Sequence, residues 1–115
     1  MTATIIDGKA IAARMREETR AEAEALTAAG WAPRLVSISV GDVAAAELYV
    51  RNQQKSAEAA GVAFEARNYP ETISLEQLTG VLAGLNADPR VNGIIIQQVQ
   101  ILPKHTVIAQ VIFLV

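Results

Sequence analysis

The sequence predicts an α/β fold, a three-layer α/β/α domain built around a mainly parallel sheet. Alanine-rich, helix-forming segments alternate along the chain with short β-rich segments. One of these, Gly93–Gln97, is almost entirely apolar, which is typical of a central parallel strand covered on both faces. The 115 residues are 51% hydrophobic and 19% charged, which is enough apolar material for the core of one domain.

The composition also excludes several classes of function. A net charge of −2 removes the main electrostatic driver for nucleic-acid binding. The chain has no cysteine, so disulfides and zinc–thiolate sites are excluded, and a single histidine, His105, is too little for a metal site. His105 is instead expected to lie in a loop. No basic, apolar leader opens the sequence and no apolar stretch is long enough to span a membrane, so we expect a cytoplasmic protein without membrane or nucleic-acid partners.

The first half of the chain predicts a long helix followed by a strand. Asp7 is placed to cap a helix over Lys9–Ala29, and Gly30 stands where a left-handed helix stop is expected. Over Leu35–Val40, apolar residues then alternate with serines, which is the period-2 pattern of a strand. Small serines on its second face favour a strand that is covered by helices on both sides.

Two further helix–strand units complete the predicted sheet. A helix over Ala44–Ala60 is followed by a short alternating strand, Val62–Asn68. Ser74 and Gln77 form a capping-box pattern that opens the next helix, which ends near Asn86. Strand–helix–strand–helix–strand order implies two right-handed crossovers.

The last eighteen residues do not continue this pattern. Residues 98–115 carry no charge after Lys104 and end on a run of apolar residues. Chain termini are usually solvated, and such a run has a high tendency to aggregate. We therefore predict a domain over residues 1–97 and an atypical C-terminal tail, truncated or altered, over residues 98–115.

Five short motifs, in this order and spacing, resemble one known family. They cover about four-fifths of the chain. The motifs are Ile5-Ile6-Asp7-Gly8-Lys9, Val40-Gly41, Leu48-Tyr49-Val50, Lys55-Ser56-Ala57 and Asn92-Gly93-Ile94-Ile95-Ile96-Gln97. The chain resembles the N-terminal domain of the bifunctional methylenetetrahydrofolate dehydrogenase/methenyltetrahydrofolate cyclohydrolases.

The resemblance implies half of a two-domain enzyme of one-carbon metabolism that serves purine biosynthesis. The family oxidises 5,10-methylenetetrahydrofolate with NADP and hydrolyses the methenyl product to 10-formyltetrahydrofolate. Folate lies between this domain and a Rossmann-type domain that binds NADP, and the family forms homodimers. The sequence has no G-x-G-x-x-G fingerprint, so we expect the NADP-binding domain to be absent and assign no residue to the cofactor.

The resemblance also assigns candidate site residues, although the match to the family's pattern is mixed. Tyr49 falls on the active-site tyrosine, which stacks on or hydrogen-bonds the folate. Gln53, one helical turn later, occupies the position of the catalytic lysine, and Lys55 points elsewhere on the helix. Gln97 matches the glutamine that pairs with that lysine and with the pterin, while an alternative alignment of the tail would select Gln100. Catalytic candidates are therefore Tyr49 and Gln53, and substrate-binding candidates are Tyr49, Gln97 and Gln100.

Glutamine in place of lysine changes the expected chemistry. Opening the methenyl bridge needs a group that exchanges a proton near neutral pH, as a lysine with a lowered pKa can, whereas an amide only orients substrate. The first hypothesis is a fragment of the folate enzyme, inactive alone and with doubtful cyclohydrolase chemistry. The alternatives are a folate-binding pseudoenzyme domain and a non-catalytic α/β module that binds a protein partner.

Overall fold

The computed structural model describes residues 2–41, 44–101, 105–107 and 111–113, and the side chains within residues 2–41 and 47–97. The described residues form three helices and five strands, of which the helices and the first three strands follow one another in the predicted order. The elements are α1 (Gly8–Ala28), β1 (Arg34–Val40), α2 (Ala44–Ala59), β2 (Ala63–Tyr69), α3 (Leu75–Ala87), β3 (Gly93–Ile101), β4 (His105–Val107) and β5 (Val111–Phe113).

The sheet has a parallel centre, as predicted. β1 lies between β2 and β3 and pairs with both in parallel. The connection from β1 to β2 and the connection from β2 back to β3 run in opposite directions across the sheet. Because such crossovers share one hand, α2 and α3 lie on opposite faces, which gives the three layers of an α/β/α domain.

The core lies between the sheet and α3. The fully buried side chains of Val36, Ile38 and Ile94 pack there against Leu78 and Leu85 of the helix. These strand residues alternate with the residues that face α2, so the period-2 pattern in the sequence separates the two faces of the sheet. Burial of these aliphatic side chains is the main source of stability for the domain.

The helix α1 begins and ends at the predicted signals but buries little of its surface. The Asp7 carboxylate accepts from the backbone N–H groups of Lys9 and Ala10, both at 3.1 Å. Gly30 follows the helix with a φ of +89°, a backbone conformation that favours glycine. Ala23 is the buried residue of α1. Within the described residues, no helix combines the length and the apolar character needed to cross a membrane.

The structure differs from the sequence prediction at the C-terminal side of the sheet. β3 continues through Gln97, where the sequence pattern ended it, to Ile101. β4 and β5 pair antiparallel with β3, in register at Gln100–Thr106 and at Ile94–Ile112. The expectation of a loop at His105 is wrong, because this residue begins β4. The β-rich tail pairs with β3 because the far side of that strand has no parallel neighbour to occupy its backbone groups.

Candidate functional site

A buried glutamine marks the carboxyl end of the central strand β3. Gln97 is 8% exposed and follows three consecutive isoleucines. A buried amide costs free energy unless it is hydrogen-bonded, and the Gln97 Nε2 group donates to Oε1 of Gln53 on α2. Ligands of open α/β sheets bind at the carboxyl ends of the strands, so this pair occupies the position where a site is expected.

Tyr49, the other predicted site residue on α2, lies in the same region as Gln53. Tyr49 and Gln53 are one turn apart on one helix face, as their spacing predicts. Both border a groove of about 450 Å³ between α2 and the sheet. The groove is lined by Leu35, Tyr49, Asn52, Gln53, Ser56, Ala57, Val62 and Ile95. All of these are uncharged, so the groove suits a ligand that is held by stacking, apolar contact and neutral hydrogen bonds.

The remaining candidates fall outside this groove. Lys55 is exposed and is not one of the residues that line it, in agreement with its predicted direction two positions along the helix from Gln53. The backbone of Gln100 pairs with Thr106, but its side chain lies outside the described residues. Of the two glutamines that the sequence left open, Gln97 is the one seen in contact with Gln53.

A second group of polar contacts, which the sequence analysis missed, lies at the carboxyl ends of β1 and β2. The Asn68 Nδ2 group donates to the Ser39 hydroxyl and to the Gly41 carbonyl oxygen, each at 3.1 Å. The Gly41 N–H donates to the Tyr69 carbonyl at 2.9 Å. Gly41 has a φ of +95°, and the Glu71 side chain packs over it. The available signal was the polar residue next to the end of each strand, but the pairing register was needed to bring them together.

The charged residues of the sheet form a separate cluster on its α3-facing side. Glu65 on β2 accepts hydrogen bonds from Arg67 at 2.7 Å and from Arg34. Hydrogen bonding to Arg67, and then to Arg34, holds the pKa of Glu65 below its ordinary value of 4.5. This cluster is structural, since it joins β1 to β2. In the part of the chain that the structure describes, no group of three acidic or histidine side chains is placed to hold a metal ion.

Comparison with known families gives a match over nearly the whole chain. Residues 6–112 match the family described as tetrahydrofolate dehydrogenase/cyclohydrolase, catalytic domain. A curated relative, the bifunctional protein FolD of Dechloromonas aromatica, is 47% identical over 105 residues. That alignment covers 91% of this chain and 36% of the relative, so the chain spans about a third of the length of the protein that it matches.

Solved structures agree with this match. The bifunctional FolD methylenetetrahydrofolate dehydrogenase/cyclohydrolase of Campylobacter jejuni superimposes with a TM-score of 0.77 at 33% identity, over 82% of this chain and 33% of its own. The Trypanosoma brucei enzyme, solved with NADP and an inhibitor, gives a TM-score of 0.73 at 30% identity, over 91% of this chain and 36% of its own.

Proposed function

Because the chain belongs to the tetrahydrofolate dehydrogenase/cyclohydrolase family, we propose that it forms the folate-binding half of a site that oxidises 5,10-methylenetetrahydrofolate. The hydrogen bond between Gln53 and the buried Gln97, beside Tyr49, is the observation that carries the proposal. It joins a helix and a strand at the edge of the sheet where ligands bind.

The three side chains would hold a folate by complementary means. The Tyr49 side chain is 58% exposed, so its ring is accessible for stacking on a planar heterocycle. Because Gln97 donates to the Gln53 oxygen, the Gln53 amide nitrogen makes no hydrogen bond within the described part of the chain and can offer its two N–H groups to a ligand. A donor pair beside an aromatic face would orient the pterin ring without adding charge to the site.

The same residues do not provide a proton-transfer group. An amide side chain neither gains nor loses a proton near neutral pH, and among the described residues Tyr49 is the one titratable side chain that lines the groove. We therefore propose that hydrolysis of the methenyl bridge is lost or slow at this site. Oxidation requires no proton-transfer group from this folate-binding half of the site, because the domain has to bind and orient the folate.

The described residues do not fit NADP. A dinucleotide-binding fold uses a glycine-rich turn after its first strand to cradle the pyrophosphate. Here the turn after β1 has one glycine, and the carboxylate-bearing side chain of Glu71 lies over it, with Cγ 3.1 Å from the position of an added Cβ. A carboxylate there would repel phosphate. The proposal therefore assigns only the folate half of the site to these residues, and we expect the chain alone not to oxidise methylenetetrahydrofolate with NADP.

Binding of 5-formyltetrahydrofolate, a stable reduced folate, to the 115-residue chain tests the proposal. Isothermal titration calorimetry should show saturable binding, and Tyr49→Ala should weaken it by roughly threefold to tenfold through loss of stacking. Leu48→Ala is the matched control, because Leu48 is 61% exposed on the same helix and does not line the groove. Absence of saturable binding, or equal affinity of the Tyr49→Ala chain, would overturn the proposal.

A folate-binding domain without catalysis is the second candidate, and Gln53 is the residue that favours it. The two candidates differ in what the site does once it is joined to a cofactor-binding domain of the family. Growth of the methenyl-folate absorbance in such a fusion would support the dehydrogenase. Folate binding with no absorbance growth would support the pseudoenzyme.

A further inference from the structure

Three polar residues form one row across the α2-facing side of the sheet. Ser39 on β1 is the register partner of Asn68 on β2 and of Gln97 on β3. Register partners in parallel strands project their side chains to the same face, so the row crosses the sheet at its carboxyl edge. The hydrogen bond from Gln97 to Gln53 connects this row to α2. Immediately after the Ser39–Gln97 pair, the register of β3 shifts by one residue, so the pairing with β1 is interrupted at this row and resumes at Val40–Val99.

The hydrogen bonds within the row determine which groups remain for a ligand. The Asn68 amide nitrogen donates two hydrogen bonds, one to the Ser39 hydroxyl oxygen and one to the Gly41 carbonyl oxygen. A hydroxyl that accepts at its oxygen keeps its hydrogen for another partner. Ser39 is therefore held as a donor, like the outward amide of Gln53. Neither Ser39 nor Asn68 titrates, so this arrangement is independent of pH over the physiological range.

We propose that Ser39 is a further ligand-contacting residue of the site and that Asn68 is its positioning residue. In this proposal, which rests on the proposed function, the Ser39 hydroxyl and the Gln53 amide donate to the acceptor-bearing edge of a neutral planar heterocycle. Asn68 does not touch the ligand. It keeps the Ser39 hydrogen directed away from β2, and its second bond holds the Gly41 turn.

Two substitutions separate these roles. Ser39→Ala removes the donor and should weaken 5-formyltetrahydrofolate binding by roughly threefold to tenfold. Asn68→Asp keeps the shape of the side chain but replaces its donors with a carboxylate, which would accept the Ser39 hydrogen. The hydroxyl would then be turned away from the ligand, and affinity should fall by a similar factor.

Matched controls are available for both changes. Ser37 lies on the same strand and face, is 1% exposed, and its hydroxyl has no hydrogen-bond partner within the described structure. Ser37→Ala should leave the affinity unchanged. Asn86→Asp makes the same change as Asn68→Asp at an exposed position on α3 and should also leave it unchanged.

The double variant decides whether Asn68 acts through Ser39. If it does, Asn68→Asp should cost no further affinity in the Ser39→Ala background, because the group that it orients is already gone. An equal loss in both backgrounds would overturn the positioning role, since it would mean that Asn68 acts through the Gly41 turn. Ser39→Ala removes one oxygen atom and tests the contact even if Asn68→Asp fails to fold, as judged by circular dichroism.

The outcomes also separate this proposal from the proposed function. If the unmodified chain binds the folate and Ser39→Ala binds it equally well, the Ser39 contact is wrong while the proposed function stands. If the unmodified chain shows no saturable binding, the proposed function fails, and the ligand contact of Ser39 fails with it.

Discussion

At the scale of single residues, Gln53 is the sharpest departure from the pattern that the family resemblance implies. Gln53 occupies the position that the resemblance assigns to a catalytic lysine, and it accepts a hydrogen bond from Gln97. A lysine ammonium can only donate, so the Gln97 amide would have to present its oxygen instead. That requires a rotation of the Gln97 side-chain amide and no change in the backbone.

Gln53→Lys should therefore restore cyclohydrolase chemistry in a suitable fusion. In residues 1–97 joined to the remaining domain of a FolD relative, we expect the substitution to accelerate methenyl-folate hydrolysis by roughly tenfold or more, because it supplies a group that exchanges a proton. The hydrolysis rate of each fusion is measured from the decay of the methenyl-folate absorbance at matched protein concentration.

Gln54→Lys is the matched control for this prediction. Gln54 is the neighbouring glutamine, is exposed, and bonds Glu58 one turn along the helix at 2.9 Å. Its substitution should leave the rate unchanged. Rapid hydrolysis with Gln53 intact would contradict the prediction and would mean that another group moves the proton.

The Glu65 carboxylate gives a second prediction at this scale, in the pH dependence of stability. Its pKa is below 4.5 in the folded protein because Arg67 and Arg34 donate to it. A lowered folded-state pKa means that the stabilising contribution is present above pH 4.5 and is lost as the pH falls through the folded-state pKa. Glu65→Gln should therefore lower the melting temperature above pH 4.5 and reduce this difference in more acidic buffer.

Thermal unfolding of both chains between pH 7 and pH 3 checks this prediction. Glu22→Gln is the control, since Glu22 is exposed on α1 and makes no ion pair within the described residues. A difference between the Glu65→Gln and unmodified chains that stays constant over the whole range would contradict the expected linkage.

At the scale of elements, the helices α1 and α3 begin at N-cap residues that can be recognised in the sequence. The α3 capping box is complete, with the Ser74 hydroxyl accepting from the Gln77 N–H and the Gln77 side chain accepting from the Ser74 N–H, each at 3.0 Å. These interactions lie within one turn of chain and do not depend on the rest of the molecule.

Ser74→Ala should destabilise the domain by about 1 kcal/mol, because the first turn of α3 loses its cap. For a domain of this size, that corresponds to a fall in melting temperature of roughly 4–8 °C. Thr79→Ala, an exposed position inside the same helix, should be neutral or slightly stabilising, because alanine is the better helix former. Equal melting temperatures for Ser74→Ala and Thr79→Ala would show that the cap contributes nothing.

At the scale of the whole molecule, stability is distributed unevenly between the sheet and α1. Val36, Ile38 and Val40 of β1 are at most 1% exposed. On α1, by contrast, Met15 is 59% exposed and Leu26 is 49% exposed, although both lie at helical spacing from the buried Ala23. An element with few buried apolar contacts opens at low free energy.

Hydrogen–deuterium exchange of the 115-residue chain should therefore resolve two classes of amide. We expect β1 to be the most protected segment and the first half of α1 to exchange at least tenfold faster, because opening α1 leaves the core of the domain intact. Equal protection of Val36–Val40 and residues 9–18 would contradict this and would indicate that α1 unfolds only together with the sheet.

Features that depend on local or periodic interactions could be predicted from the amino-acid sequence without a structure. Asp7 and Ser74 start helices through bonds to amides two or three residues away, and the alternation in β1 selects which side chains face the core. The shared face of Tyr49 and Gln53 follows from helical geometry alone. For the same reason the prediction stopped at Gln97, since the free edge of β3 that the tail joins is not a local feature.

Contacts between residues far apart in the chain could not be predicted in this way, because they depend on how the helices and strands pack. Gln97 and Gln53 are separated by 44 residues, and Asn68 and Ser39 by 29. The sequence favoured Gln97 as the site glutamine and left Gln100 as the alternative. Gln97 is buried and bonded to Gln53 on α2, a partner that only the packing of helix on sheet supplies, while the side chain of Gln100 lies outside the described residues. Asn68 was overlooked for the same reason, since its bond to Ser39 forms only once β1 and β2 pair in this register.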